Sequence, residues 1–342
     1  MKFVPHLALA LTALPLLLAS PSPREVHLRT GTWTKVAPTL HGPRQEQSVV
    51  ALDSAMYIIG GISSPPPDAP FSFPTINWTQ VYMPQANMWQ DVAPLPHTVN
   101  HGNAAAVDGK LYLLGGLDGT TDWVAIAQSY VYSPAADEWA ALPDMPAGTA
   151  RGAAAVGVHG HTVYLAGGLL ELNLITGAQP SSAAVSAFNT LTRQWSVLPS
   201  LPEARDHVGG AVIGDTFFVL GGRVNGVPNV RDTVFALDLN EVGLGWVEKA
   251  RMPTARGGLS TAVIGDRIYT FGGEGDVNLV PNGVYDNVEV YCAGEDRWEV
   301  LPPMLHPRHG TNAASIAGRI YIPGGGNVTG PGLQSLTDFF SP

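Results

Sequence analysis

The chain has 342 residues, a formal charge of −10 with only 18 lysines and arginines, and a single cysteine. That balance excludes nucleic acid as a partner, because phosphate binding needs a basic face, and one cysteine excludes an internal disulfide. The 39 glycines and 29 prolines, close to a fifth of the residues, recur at fixed offsets and so mark the turns of an all-β chain.

Residues 1–20 read as a secretory signal. Lys2 supplies the positive start, and Leu7–Leu18 is an apolar core too short to span a bilayer comfortably. Cleavage is expected near Ala19–Ser22, followed by an approach segment over 21–30. The mature chain is therefore expected in the secretory lumen or outside the cell, with no membrane span. Two sequons, Asn77-Trp78-Thr79 and Asn327-Val328-Thr329, fit that route and predict glycosylation.

From residue 31 the chain repeats one unit six times. Each begins with a small-residue strand such as Ala104–Val107, Ala153–Val156 or Gly209–Ile213. A two-residue turn follows (Asp108-Gly109, Gly214-Asp215, Gly265-Asp266, Ala317-Gly318), of a type that closes tight hairpins. The second strand is apolar and ends in Gly-Gly, as in Leu111–Leu114, Val163–Ala166, Ile268–Phe271 and Ile320–Pro323. The third carries Tyr82, Tyr132, Phe188 or Tyr291, each seven residues before Trp89, Trp139, Trp195 or Trp298 of the fourth. Trp246 holds that place in the fourth unit, where the longer turn Leu239–Gly245 changes the spacing.

Across these units Arg-x15-Gly-Gly occurs five times in one register: Arg44, Arg151, Arg205, Arg256 and Arg308, with Val99 at the sixth position. The period near fifty, the Gly-Gly and the aromatic offsets resemble the kelch repeat over residues 31–342. The resemblance implies a single all-β, six-bladed β-propeller of four-stranded antiparallel blades. The ends agree. Phe340-Ser341-Pro342 matches Tyr132-Ser133-Pro134 at the end of a third strand, and Thr32–Val36 resembles Trp298-Glu299-Val300. The N-terminal strand is thus expected to complete the last blade and remove an exposed sheet edge.

The insertions fall mainly between second and third strands, on the face where first strands begin, and variable loops on a rigid scaffold are where binding is expected. The five arginines start there too, with His41, His97, His101, His207, His306 and His309 and the acids Glu46, Asp206 and Glu274, whereas His159 and His161 fall on opposite turns. Two readings of the arginines stand open. They line a funnel that holds an anion through their planar forks, or they tie neighbouring blades through backbone carbonyls, as arginine at this offset often does in kelch repeats. In the first, His101, His207 and Glu274 move a proton beside them.

The kelch resemblance also bears on chemistry. Some secreted kelch propellers are copper radical oxidases similar to galactose oxidase, with a cysteine crosslinked to a tyrosine. Cys292 follows a third strand, on the tight-turn face away from the histidines, which argues against that chemistry. No nucleotide-binding motif is present, and neither a cofactor nor a metal is expected, although histidines from several blades could share an ion and His306-x2-His309 is the nearest pair. The chain is also similar to bacterial sialic-acid epimerases and to secreted fungal kelch proteins, some encoded with natural-product pathways. Those resemblances imply a cofactor-independent isomerase or cyclase, or an accessory protein, for a small anionic or oxygenated metabolite of a polyketide-type secondary pathway. The alternative is a protein- or glycan-binding scaffold using the long loops, with Phe71, Phe73 and Trp78 of Ser63–Trp78, and Trp123, as its contact. A purely structural domain is the third reading.

Overall fold

A computed structural model describes Met1 and residues 31–278 and 280–342. The proposed signal and approach segment fall, apart from Met1, outside the described residues. Six antiparallel sheets, each with four blade strands, follow one another around an axis, spanning residues 48–92, 104–142, 155–198, 209–249, 260–301 and 314–341, here blades 1 to 6; Glu171–Asn173 from the blade 3 loop adds a fifth strand to blade 2. The N-terminal strand Thr32–Val36 pairs with Thr337–Ser341 of blade 6, with Trp33 opposite Phe340. The ring therefore closes on strands from both ends of the chain, as the terminal sequences imply.

Each blade packs on the next through its own apolar cluster. Tyr57 and Val81 of blade 1 meet Leu111, Leu113 and Tyr132 of blade 2, and Met56 and Trp89 of blade 1 meet Ala314 and Tyr321 of blade 6. The blade tryptophans add a polar tie on the outer edge. Trp33, Trp89, Trp139, Trp195, Trp246 and Trp298 each donate Nε1–H to a backbone carbonyl of the preceding blade at 2.8–3.1 Å. A buried indole N–H needs such an acceptor, which explains why one tryptophan recurs per unit.

The Gly-Gly pairs serve the inner edge. Gly61, Gly168, Gly222, Gly273 and Gly325 donate their N–H to the carbonyl of the next blade's Arg position at 2.7–3.0 Å. The preceding glycines have positive φ, and a Cβ added at Gly60 or Gly272 would run into that same carbonyl. Only glycine tolerates both the conformation and the approach.

A second inner tie encircles the axis two residues after each Arg position. His101 N–H donates to Glu46 O, Ala153 to His101, His207 to Ala153, Gly258 to His207, Gly310 to Gly258 and Glu46 to Gly310, at 2.7–3.2 Å. All six residues are left-handed, with φ between 49 and 62°. The first strand of blade 3 accordingly begins at Ala155, two residues later than the sequence pattern suggests, because Ala153 belongs to this ring.

Candidate functional site

The five repeat arginines do not line the funnel. Each is at most 1% exposed and turns into its own blade. Arg44 Nε donates to Gly60 O at 2.7 Å and Arg151 Nε to Gly167 O at 2.6 Å, while Arg205 Nη1 reaches Gly221 O at 3.0 Å. Other guanidinium hydrogens go to backbone carbonyls such as Trp78 O and Thr149 O or to third-strand side chains, while Arg205 Nε, Arg256 Nε and Arg308 Nε and Nη1 have no partner among the described residues. Arg44 meets Gln80, Arg151 meets Ser186, and Arg256 meets Glu289 at 2.6 Å, all by hydrogen bonds; Arg308 pairs with Asp338, and Arg205 lies over the Phe235 ring at 4.5 Å. The expected anion cradle is thereby corrected. The guanidiniums are buried within their blades, because the chain before each first strand lays its arginine against the sheet rather than toward the axis.

Every one of those partners stands two residues before the third-strand core position, and in blade 2, where Val99 replaces arginine, that place holds Tyr130. Val99 and Tyr130 belong to one apolar cluster. Blade 2 has replaced the polar pair by an apolar one, and the pairing is legible in the sequence once the offset is known.

What converges at the axis comes from three neighbouring positions in each unit. The residue after the Arg position reads Gln45, Asn100, Gly152, Asp206, Gly257, His309. The hydrogen-bonded ring reads Glu46, His101, Ala153, His207, Gly258, Gly310, and the residue after Gly-Gly reads Ile62, Leu117, Leu169, Arg223, Glu274, Gly326. Short antiparallel bridges such as Asp206 with Arg223 and Gly257 with Glu274 hold the first and third sets together.

The result is a funnel with two unlike walls. One is a buried cluster of Ile62, Leu117, Trp123, Leu169 and Leu172. The other is polar and equally buried. His207 Nδ1 lies 2.6 Å from Asp206 Oδ1, and His101 Nδ1 lies 2.5 Å from Asn100 Oδ1, so each ring donates Nδ1–H outward. Their Nε2 atoms face each other at 3.1 Å, and Glu46 Oε2 stands 3.1 Å from that of His101. Arg223 bridges Asp206, at 3.1 Å, to Glu274, and its Nη2 reaches His207 Nε2 at 3.1 Å. Glu274 also accepts from Gly330 N–H at 3.2 Å, with His309 Nδ1 3.4 Å away.

Burial, reinforced by Arg223, pushes His101 down to about 3, and the same two causes lower His207. Both imidazoles are neutral at pH 7. Burial alone would raise the Glu274 carboxyl, but His309 and Arg223 overcome it and hold it at about 2. That corrects its expected role. Glu274 is an ion-pair partner that positions Arg223, too acidic to take up a proton. His101, His207 and Glu274 do come together as expected, with Glu46, Asp206 and His309. Arg223 was not singled out; its signal is its place directly after Gly-Gly, the place Glu274 holds one blade later.

The remaining candidates lie elsewhere. His41 meets Asp91 at 3.0 Å, His97 meets Asp118 at 3.1 Å and His306 meets Asp338 at 2.9 Å, all around the rim, while His159 and His161 pair with Asp215 and Asp108 on the opposite turns. Cys292 is the buried last residue of a third strand rather than a turn residue, and its Sγ accepts from Arg267 at 2.8 Å. Trp123, expected on an exposed patch with Phe71, is 2% exposed in the funnel wall, and Phe73 packs against the same cluster. Among the described residues no helix is long and apolar enough to cross a membrane.

The two sequons differ. Asn77 uses its side-chain N–H on Leu95 O at 3.0 Å and its partner Thr79 is buried, whereas Asn327 is exposed. We expect peptide mapping of protein from a secreting eukaryotic host to find glycan at Asn327 and little at Asn77. Full occupancy at Asn77 with none at Asn327 would contradict this.

A closed six-blade ring with Arg/Gly-Gly and Tyr/Trp repeats and an axial funnel defines a propeller of the kelch type. The chain belongs to the kelch-repeat family: residues 152–339 match the KLHDC2/KLHL20/DRC7 Kelch-repeats domain and residues 100–146 the Kelch motif. It is 40% identical over 319 residues to Kelch-like protein terF of Aspergillus terreus (strain NIH 2624 / FGSC A1156), covering 91% of this chain and 68% of that protein. With Kelch-like protein 36 of Bos taurus it shares 27% identity over 249 residues, 70% of this chain but 38% of the relative's length. The solved structure of YjhT superposes with a TM-score of 0.71 at 17% identity, over 88% of this chain and 95% of that one, a likeness of fold alone.

Proposed function

We propose that the funnel binds a small, neutral, oxygenated metabolite with one apolar face, and that the Asp206–His207 pair moves a proton on it in an isomerisation or cyclisation. The observation that carries this reading is the pairing of the apolar wall with unsatisfied buried polar atoms. Trp123 Nε1 and Gln179 Oε1 have no hydrogen-bond partner, and both residues line a cavity of about 70 Å³ with Leu172, His207, Arg223 and Glu274. A buried donor and acceptor left unpaired are costly unless a ligand satisfies them. An anionic ligand is less well served, since Arg223 is already offset by Asp206 and Glu274. Asp206 fixes the His207 tautomer so that Nε2 faces the funnel as base. The resemblance to fungal kelch proteins encoded with natural-product pathways supports a polyketide-type secondary metabolite, made or released outside the cytosol.

The test is native mass spectrometry for a co-purifying ligand, then thermal shift against phenolic and lactone metabolites and sugar acids. Binding of a neutral oxygenated compound, weakened about tenfold in Trp123→Phe for one lost hydrogen bond of roughly 1–2 kcal/mol, is the expected result. No binding across the panel, or binding indifferent to Trp123→Phe and His207→Gln, would sink it. A second reading, a protein- or glycan-binding scaffold, is favoured by Phe71 and Ile175, which are 80% and 82% exposed on loops tied to the 120–121 turn. A partner lost in a Phe71→Ser/Ile175→Ser double variant would establish it instead.

A further inference from the structure

The ring of six left-handed residues singles out three side chains. Blades 5 and 6 place glycine there and blade 3 alanine, whereas blades 1, 2 and 4 place Glu46, His101 and His207. A residue with a Cβ is strained in that conformation, and glutamate and histidine occupy it in three blades where glycine would relieve the strain. Their donor atoms all lie within 4.8 Å of one another.

We propose that Glu46, His101 and His207 bind one divalent first-row transition-metal ion at the axis of the propeller. The spacing fits. Two donors each about 2.1 Å from one ion and at right angles to it lie about 3.0 Å apart. His101 Nε2 is 3.1 Å from both His207 Nε2 and Glu46 Oε2. Two imidazole nitrogens and a carboxylate form a set that suits such an ion and leaves coordination positions open.

The surroundings orient these groups as ligands. Asn100 and Asp206 accept the Nδ1 hydrogens at 2.5 and 2.6 Å, so both Nε2 lone pairs point inward. No proton lies between the two nitrogens in that tautomer pair, and their mutual repulsion is relieved by a cation. Glu46, Asp206 and Glu274 also place three carboxylates around the single guanidinium of Arg223. Arg223 Nη2, 3.1 Å from His207 Nε2, would yield that lone pair to the ion and keep its two carboxylate partners. Space is present as well. The three residues line a cavity with Ala153, Gly258 and Gly310, the three ring positions that carry small residues.

This inference uses the same funnel as the metabolite reading and does not rest on it. The test strips the full chain with a chelator, then titrates Zn²⁺ by calorimetry and Co²⁺ by its visible ligand-field absorption. One equivalent of each is expected, with ordered Co²⁺ bands. Glu46→Gly and His101→Gly each abolish saturable uptake, and because glycine already occupies this ring position in two blades, both variants retain the wild-type fold by circular dichroism. A His159→Ala/His161→Ala variant keeps full uptake. Absence of a saturable equivalent in wild type, uptake unchanged in both glycine variants, or uptake lost in the His159/His161 variant overturns the site. Thermal shift of the metal-stripped protein with metabolites is read separately, so failure of the metal titration overturns this site alone, and metabolite binding without metal bears only on the other reading.

Discussion

Metal-stripped protein will lose roughly 3 kcal/mol of stability between pH 6.5 and pH 4 through His101 alone. The native pKa of this histidine is about 3, well below its ordinary 6.5, through burial first and Arg223 second. Between those values the unfolded chain binds a proton that the native state refuses, so stability rises with pH there, by about 1.4 kcal/mol for each pH unit. The contribution is complete above pH 6.5 and is lost as the pH falls toward 3. His207, lowered by the same causes, adds loss of the same sign below 6.5. The lowered carboxyls of Asp206 and Glu274 add theirs below their ordinary range. Urea denaturation at half-unit pH steps measures the slope, and His101→Gln should reduce it by the share of one titrating group. A flat profile from 6.5 to 4.5, or a slope unchanged in His101→Gln, would contradict the burial of neutral imidazoles at the axis.

Replacing Arg256 by alanine is expected to cost about 3–5 kcal/mol, because it leaves Glu289 charged and buried without its partner. Both side chains are wholly inaccessible and meet at 2.6 Å. Blade 2 already holds an apolar alternative at these two positions, Val99 against Tyr130. Copying it as Arg256→Val/Glu289→Tyr should recover most of the loss, since an apolar pair of fitting volume replaces a buried ion pair at little net cost. Chemical denaturation of the two singles and the double forms a cycle whose coupling energy isolates the pair. A single variant within 1 kcal/mol of wild type, or a double as unstable as Arg256→Ala, would show that the guanidinium is not the staple its contacts describe.

The six blades were legible because their signals are local. Hairpin turns, alternation and the Tyr-x6-Trp spacing each describe a few adjacent residues, and the terminal fragments match known parts of the same unit. The face carrying the candidate site was legible too, since loop lengths between second and third strands are counted directly. His101, His207 and Glu274 were picked from that face, and the structure brings them together. The arginines show the limit. Their fixed distance to Gly-Gly says that they recur, and recurrence serves a staple as well as a cradle.

Which way a side chain turns was settled by the tertiary structure. Arg205 enters its blade, and His207, two residues on, faces the axis, because His207 is itself left-handed and donates its N–H to Ala153 O of the neighbouring blade. Glu46 and His207 are 161 positions apart in the chain yet belong to one cluster of donor atoms. The sequence by itself determined the number of blades, their closure by Thr32–Val36 and the busy face. Only the closed ring decided the site, since residues from six separate units become neighbours when the last blade meets the first.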